Sequence, residues 1–547
     1  MPNGALTKVT PPSAWEGSSQ PVILAPLSSR KPALSLPRFF SRRPLLALLA
    51  LALLLGLSFQ GSRGLWEPDE GRYTNVALQM LHSGDFISLR RNEEALHFTK
   101  PPVTYWTIAA SVATFGRTEW AVRLPIALAF ALTVVLVFRL GKSFVPDKPW
   151  LPALIYATSP VPFLASNTVN TDSMLALMET LSVLCYAQYR FGGGSARWLD
   201  AMWAAFGLAF MTKGPPSLLP LLAIVAFELV QARSAQKLAG ADPAAGPMRG
   251  GLGLFRPWGL LLFAVIGFTW YLVVIRRHPG LLDYFLGHEV YARIATAELK
   301  RFPEWYGPLV VYLPTLVAGS IPWLVLALIG IRKRAWQDMP ADLRFLWIWF
   351  ALPLLIFCLA RSRLPLYVLP LFAPLALLLG KRLASRQWWW YAPWLLLLWV
   401  VILLGVKLWA ANYVTDKDGR VFAQQLLPML PGQPRELLFV EDMTRNGLNL
   451  YLDTDIERLS FKPQPTRMSD SSYDQTLAAE FAEQEDGRVF IMKLEVERYF
   501  LDAAREMNKT PVRLGTIADA NGRKHRDRVV YTVAGDFPRA KHPTGSY

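Results

Sequence analysis

The chain has 547 residues, 52% of them hydrophobic, with 20 Trp, 30 Phe and only 18% charged, and its mean hydropathy is +0.25. That balance, with repeated apolar runs of membrane-spanning length, excludes an ordinary soluble enzyme and predicts a polytopic α-helical membrane protein. Cys185 and Cys358 both fall in apolar spans, which excludes a disulfide framework and a thiolate metal site, and the net charge of +16 has to be read through topology.

Residues 1–43 are rich in Pro and Ser and end in a basic cluster that includes Arg38, Arg42 and Arg43, the composition of a disordered cytoplasmic tail. The run 44–60, almost pure Leu and Ala behind that basic flank, reads as an uncleaved anchor with its N-terminus inside rather than as a signal peptide. Directly after it comes the block Trp66-Glu67-Pro68-Asp69-Glu70-Gly71-Arg72-Tyr73. Two adjacent carboxylates and an arginine at the mouth of a membrane helix are costly to keep there, so they mark a site.

Residues 61–118 form the first external loop, and its segments 73–81 and 102–116 lie on the membrane surface. The second is apolar over only about 15 residues, short of the roughly 20 needed to span. Further spans near 119–140, 150–166, 173–190, 196–212, 215–232, 256–275, 308–330, 344–360, 364–380 and 388–410 bring the crossings to eleven. The count becomes about 11–13 helices if Pro-rich spans such as 215–232 and 364–380 are broken in two.

Charge orients this map. Lys142 and Lys148, Arg190 and Arg197, the 233–256 loop, Arg332-Lys333-Arg334 and Lys381-Arg382 all fall on the tail's side, as the inside of a membrane protein requires. The unusual polar residues, a later loop over 276–307 and everything past 411 then lie outside.

Residues 44–411 thus form a membrane unit, and 412–547 have the composition of a small external α/β domain. In that domain strand-like runs at 436–440, 458–461, 489–494 and 528–533 alternate with helical stretches near 444–452, 474–484 and 496–507. It carries no phosphate loop, zinc-spaced cysteines or Ser-His-Asp set, so its role is to shape or cap the site or to meet a partner.

On the outer face, polar groups recur at the membrane boundary: Asp69, Glu70 and Arg72; Lys100 before Pro101-Pro102; Asn167, Asn170 and Asp172; Lys213 before Gly214-Pro215-Pro216; His288 and Arg293; Arg361, Arg363 and Tyr367. Each has an ordinary reading alone. Lys213 and Arg361 would snorkel, Asp172 would cap the helix from Ser173, Asp69-Glu70 would be a solvated turn, and His288 would be a hydrogen-bonding residue. Their convergence on one face instead fits a pocket for phosphate, with carboxylates handling the group being moved. A transporter would place such charges near the midplane, often in repeated halves; a sensor would leave them unexplained.

The Asp69-Glu70 pair with Arg72-Tyr73 after the first span, Lys100-Pro101-Pro102, Arg123-Leu124-Pro125, Asn170-Thr171-Asp172 and Lys213-Gly214-Pro215 together resemble the GT-C superfamily. More narrowly, the chain is similar to the bacterial 4-amino-4-deoxy-L-arabinose lipid A transferases, which group with the protein O-mannosyltransferases. The resemblance covers nearly the whole membrane part. In one departure, family members often carry Glu just before the Lys where this chain has Thr99.

The resemblance implies inverting transfer of aminoarabinose from undecaprenyl phosphate to lipid A phosphates, at the periplasmic face of the bacterial inner membrane, by a monomer, giving resistance to polymyxin and other cationic peptides. A polyprenyl-phosphate-dependent protein O-mannosyltransferase is the alternative, and a lipid transporter ranks behind both. The candidate site has Asp69 and Asp172 as catalytic carboxylates, Arg72, Lys100, Lys213, His288, Arg293 and Tyr367 on the donor phosphate, and Glu70, Tyr73 and Arg363 as further members. No cofactor is required; were a divalent metal to take part, Glu70 or His288 would hold it. Nucleic acid is not a partner.

Overall fold

The computed structural model describes residues 43–239, 252–287, 301–329, 339–385, 393–464, 468–469, 471–483, 485–519 and 521–537. The predicted tail, the Arg332-Lys333-Arg334 loop, and His288 with Arg293 therefore lie outside the described residues. Helices occupy each predicted span. Six of them, Glu119–Phe144, Pro215–Ser234, Pro257–Arg277, Ala341–Leu359, Pro365–Ala384 and Trp394–Ala411, are each long and apolar enough to cross a bilayer. Trp394, Leu395, Leu398 and Val401 of the last are exposed, as are Trp258, Leu261, Val265 and Leu272 of Pro257–Arg277, which is how lipid-facing surfaces look. The chain is a multi-pass membrane protein.

Proline sets the departures from the predicted spans. The 150–166 span is two helices, Trp150–Thr158 and Pro160–Ala165, because Pro160 cannot donate to the preceding turn. The 308–330 span likewise divides into Gly307–Gly319 and Trp323–Leu328 around Pro322. The 364–380 span opens as a 3-10 turn, Pro365–Leu371, before Phe372–Ala384 continues as an α-helix. Within the first loop, Asp69–Ser83 and Val103–Phe115 are helices of 15 and 13 residues. Thr171–Arg190 packs between Glu119–Phe144 and Arg197–Lys213, so the N-terminus of the first and the C-terminus of the last reach the same end of the bundle.

Past the last span the chain forms a six-stranded sheet: β1 Glu436–Val440, β2 Asp455–Ser460, β3 Gln475–Thr476, β4 Arg488–Lys493, β5 Pro511–Ile517 and β6 Arg528–Val533, in the order β3-β2-β1-β4-β6-β5. β1 to β4 run parallel, and β6 joins β4 and β5 antiparallel. Period-2 alternation splits its core in two. Leu437, Phe439, Val489 and Ile491 face Phe422 and Leu426 of the Gly419–Leu426 helix, while Leu438, Val440, Phe490 and Met492 face Phe481 and Phe500 on the other side. β5 was not among the expected strands; it starts on Pro511, carries Gly515 and leaves much of its length exposed, as an edge strand does.

Candidate active site

Adjacent residues on a helix point about 100° apart, and this alone gives Asp69 and Glu70 opposite fates. Glu70 turns inward and is buried. Its Oε2 accepts from Arg63 Nη1 at 2.5 Å, Arg123 Nη2 at 3.0 Å and the Trp66 amide at 2.9 Å. Its Oε1 accepts from Arg123 Nε at 3.0 Å, Arg63 Nη2 at 3.2 Å and the Val169 amide at 2.9 Å. Burial alone would push this carboxyl up; the charges and hydrogen bonds of Arg123 and Arg63 outweigh it and hold Glu70 well below the usual carboxylate range. With every lone pair engaged, Glu70 is the pin of the first loop. The sequence reading named Glu70 as one of two positions that would hold a divalent metal were one to take part; here both its oxygens are taken up by Arg63, Arg123 and two backbone amides.

Asp69 turns outward. Its side chain is 58% exposed and pairs with Arg72 at 2.6 Å, one helical turn on. The Arg72 guanidinium also lies 5.6 Å from the Tyr73 ring, and Tyr73 packs against Tyr105 with centroids 5.8 Å apart. Burial raises the Tyr73 phenol, and the charges of Arg72, Asp69, Asp172 and Lys213 all bear on it, so both predicted carboxylates act on Tyr73.

On the same side, Lys100 donates to its own neighbour's carbonyl, Thr99 O, at 2.7 Å and stays half-buried. Thr99, where the resembling family often has Glu, bonds through its hydroxyl to His97 Nε2 at 2.9 Å. Burial and then the charges of Arg72, Arg91 and Lys100 hold the His97 imidazole well below its usual range, so it is neutral here.

Across the site, Asp172 and Lys213 form a buried ion pair. The Lys213 ammonium stands 4.5 Å from the Tyr367 ring centroid, a cation–π contact whose value grows with desolvation. Asp172 is not the helix cap that one reading of the sequence offered. Asn170 takes that role, its Oδ1 accepting from the Ser173 amide at 2.7 Å, and Asp172 is left for Lys213. Tyr312, buried among Val311, Val368 and Leu371, presents a hydroxyl with no partner among the described residues, near Tyr367, Arg363 and Asp172.

The structure thus brings together Asp69, Arg72, Tyr73, Asp172, Lys213 and Tyr367, with Lys100 joined to Arg72 through their shared neighbour His97. Arg363 does different work: its guanidinium donates to the carbonyls of Phe302, Glu304 (3.0 Å) and Cys358 (2.9 Å), strapping the 301–306 segment to the neighbouring helix end. Among the described residues no group of three or more His, Cys, Asp and Glu side chains is arranged to hold a metal.

Sequence reasoning passed over three contributors: Arg63, Arg123 as a partner of Glu70, and Glu67. A signal for two was present, since an arginine inside the outer end of a span and another just past the first span are both costly unless they share an acid.

The fold and site define a class: a multi-pass helical membrane protein with a cluster of charged side chains at one end of its bundle, flanked by the first loop and by a sheet-based C-terminal unit. That is the fold of ArnT from Cupriavidus metallidurans, solved bound to undecaprenyl phosphate, which is 20% identical, superposes with a TM-score of 0.68 and is covered over 98% of its length by 90% of this chain. The curated relatives are nearer in sequence. The undecaprenyl phosphate-alpha-4-amino-4-deoxy-L-arabinose arabinosyl transferase 2 of Pseudomonas fluorescens is 34% identical over 352 residues, 62% of this chain and 59% of that protein. The corresponding transferase of Pseudomonas aeruginosa is 32% identical over 359 residues, 63% of this chain and 61% of that protein. The chain spans about three-fifths of the length of these relatives. Residues 99–244 match the profile of the Dolichyl-phosphate-mannose-protein mannosyltransferase family.

Proposed function

We propose that the chain is an integral-membrane glycosyltransferase that moves 4-amino-4-deoxy-L-arabinose from undecaprenyl phosphate to phosphate groups of lipid A. It acts with inversion at the periplasmic face of the inner membrane, as a monomer with its N-terminus inside, and no metal is required. The observation that carries this reading is the meeting, at one end of the bundle, of an exposed acid on a loop helix (Asp69 with Arg72) and a buried acid–amine pair (Asp172 with Lys213) around Tyr73. The likeness to the arabinosyl transferases supports the choice of sugar and carrier.

The chemistry follows from charge. A phosphate monoester acceptor has its second pKa near 6, so at neutral pH the nucleophile is largely anionic and needs no strong base (pKa about 6). Asp69 therefore positions the acceptor, pairs with the donor's ammonium or steadies the positive charge that develops on the sugar. Arg72, paired with it, and Lys100, which shares the neighbour His97 with Arg72, neutralise the leaving phosphate. Lys213 arrives with its charge already balanced by Asp172, so that pair orients rather than draws in the anion. One preorganised contact of this kind supplies about 3–4 kcal/mol to a transition state.

Mass spectrometry of lipid A from cells with and without the gene tests the reading. A mass increment of one aminopentose that vanishes in Asp69→Asn and Lys100→Ala cells, with both variants present at wild-type levels, is the expected result. Unchanged lipid A beside altered secreted proteins would move the assignment to the mannosyltransferases whose profile matches residues 99–244.

A further inference from the structure

The acid just before the site, Glu67, is unused by the chemistry above, yet its surroundings are built around it. It is 2% exposed. Its Oε1 accepts from the Gly447 amide of the C-terminal unit at 2.5 Å, and its Oε2 has no partner among the described residues. Two glycines make the room: a Cβ at Gly71 would come within 2.2 Å of Glu67 Oε1, and one at Gly447 within 2.7 Å of the same atom.

The backbone on either side of Glu67 is gripped by the same unit. The amide of Gly64 donates to Asp418 Oδ2 at 3.1 Å, that of Leu65 to the Tyr451 hydroxyl at 3.0 Å, and that of Glu67 to Lys417 O at 2.9 Å. Gly419 returns a bond to Leu65 O at 2.8 Å, and Trp66 bridges Asp418 as a short antiparallel ladder. The segment that leads into Asp69 is therefore a strand laid on residues 417–419 and closed over by the 445–451 turn.

We propose that Glu67 is a positioning residue: through Gly447 it locks the C-terminal unit onto the start of the Asp69–Ser83 helix and so fixes the place of Asp69 and Arg72. It acts as the neutral acid. Burial lifts its carboxyl to about 8, against the opposing pull of the Gly447 amide, Arg445 and Arg72 and with a further push from Glu70. Behind Arg445 stand Arg528, Asp442 and Asp416.

The sign is as follows. The unfolded acid ionises near its ordinary value of 4.5 and the folded one near 8, so the lock's contribution is complete below 4.5 and lost as pH rises through about 8. A charge on a carboxyl this deeply buried is costly, whereas a neutral acid or amide forfeits only a hydrogen bond.

The proposal rests on the transferase reading for its kinetic test and is independent of it for its structural one. With full-length protein in detergent or vesicles, Glu67→Ala should lower kcat by about ten- to a hundredfold with donor KM within about twofold, the scale of a displaced catalytic group. Glu67→Gln, the isostere of the neutral acid, should restore most of kcat and abolish the fall in activity that the wild type shows as pH passes 8. Amide hydrogen exchange over residues 64–72, read without substrate, should rise in Glu67→Ala and return in Glu67→Gln. An alkaline limb retained in Glu67→Gln, or wild-type exchange in Glu67→Ala, would overturn the proposal. If the wild type transfers no sugar while exchange behaves as stated, the transferase reading fails and the lock stands.

Discussion

Replacing Glu70 by Gln removes one negative charge from between two arginines whose side chains are 3% and 0% exposed. The amide keeps the volume, but its single oxygen can accept from only one of the Trp66 and Val169 amides, which bond to different oxygens of the acid, and its NH2 then faces donors on the other side. Two guanidinium groups are then left in a buried pocket with a neutral neighbour, and three of their carbonyl partners, Gln60 O, Gly64 O and Asn167 O, cannot supply a full counter-charge. Removing one partner of a buried ion pair costs about 3–5 kcal/mol, and here one acid serves two bases, which places the loss at the upper part of that range, about 4–5 kcal/mol. Thermal unfolding of the purified protein in detergent, followed by loss of the monodisperse size-exclusion peak, should show the midpoint down by about 5 °C or more. Asp69→Asn is the control: its exposed pair with Arg72 is worth about 0.2–1 kcal/mol, so that variant should melt as wild type while losing transfer. A Glu70→Gln protein that melts with the wild type would refute the assignment of Glu70 as the structural pin.

Asp172→Asn strands the Lys213 ammonium in a buried site and should cost about 3–5 kcal/mol by the same thermal assay; Asp172→Asn with Lys213→Met, which removes both charges, should recover most of that stability and none of the transfer. Arg363→Ala releases three backbone carbonyls, so protease cleavage near 301–306 should speed up several-fold in vesicles, with an unchanged digestion pattern counting against the strap.

The spans were readable because length and apolarity are properties of a run rather than of a contact. Their breaks at Pro160 and Pro322 were readable in principle from proline chemistry alone, and the two spans the sequence reading did mark as breakable, 215–232 and 364–380, open in 3-10 turns at their prolines. Which of two neighbouring acids faces the pocket was not readable. Asp69 and Glu70 differ by one helical step, and the rotation of their helix is decided by Arg63, which lies only seven residues back, and by Arg123, some fifty residues on. Asp172 shows the same limit in milder form: Ser173 advertised a helix start, but only the structure shows Asn170 taking the cap and leaving Asp172 to Lys213. In the C-terminal unit, fully buried strands such as β1 announced themselves by composition, whereas β5, exposed and interrupted by Gly515, has no such pattern.

The grip of residues 417–451 on the Gly64–Glu67 segment ties together stretches more than 350 positions apart. The first loop is made long before residues 417–451, so the geometry around Asp69 cannot mature until that later segment has been made and has docked onto it. Pairings so distant along the chain are also slow to form. A copy that stops short of residue 417 would carry the bundle and its charges without this grip on the Gly64–Glu67 segment.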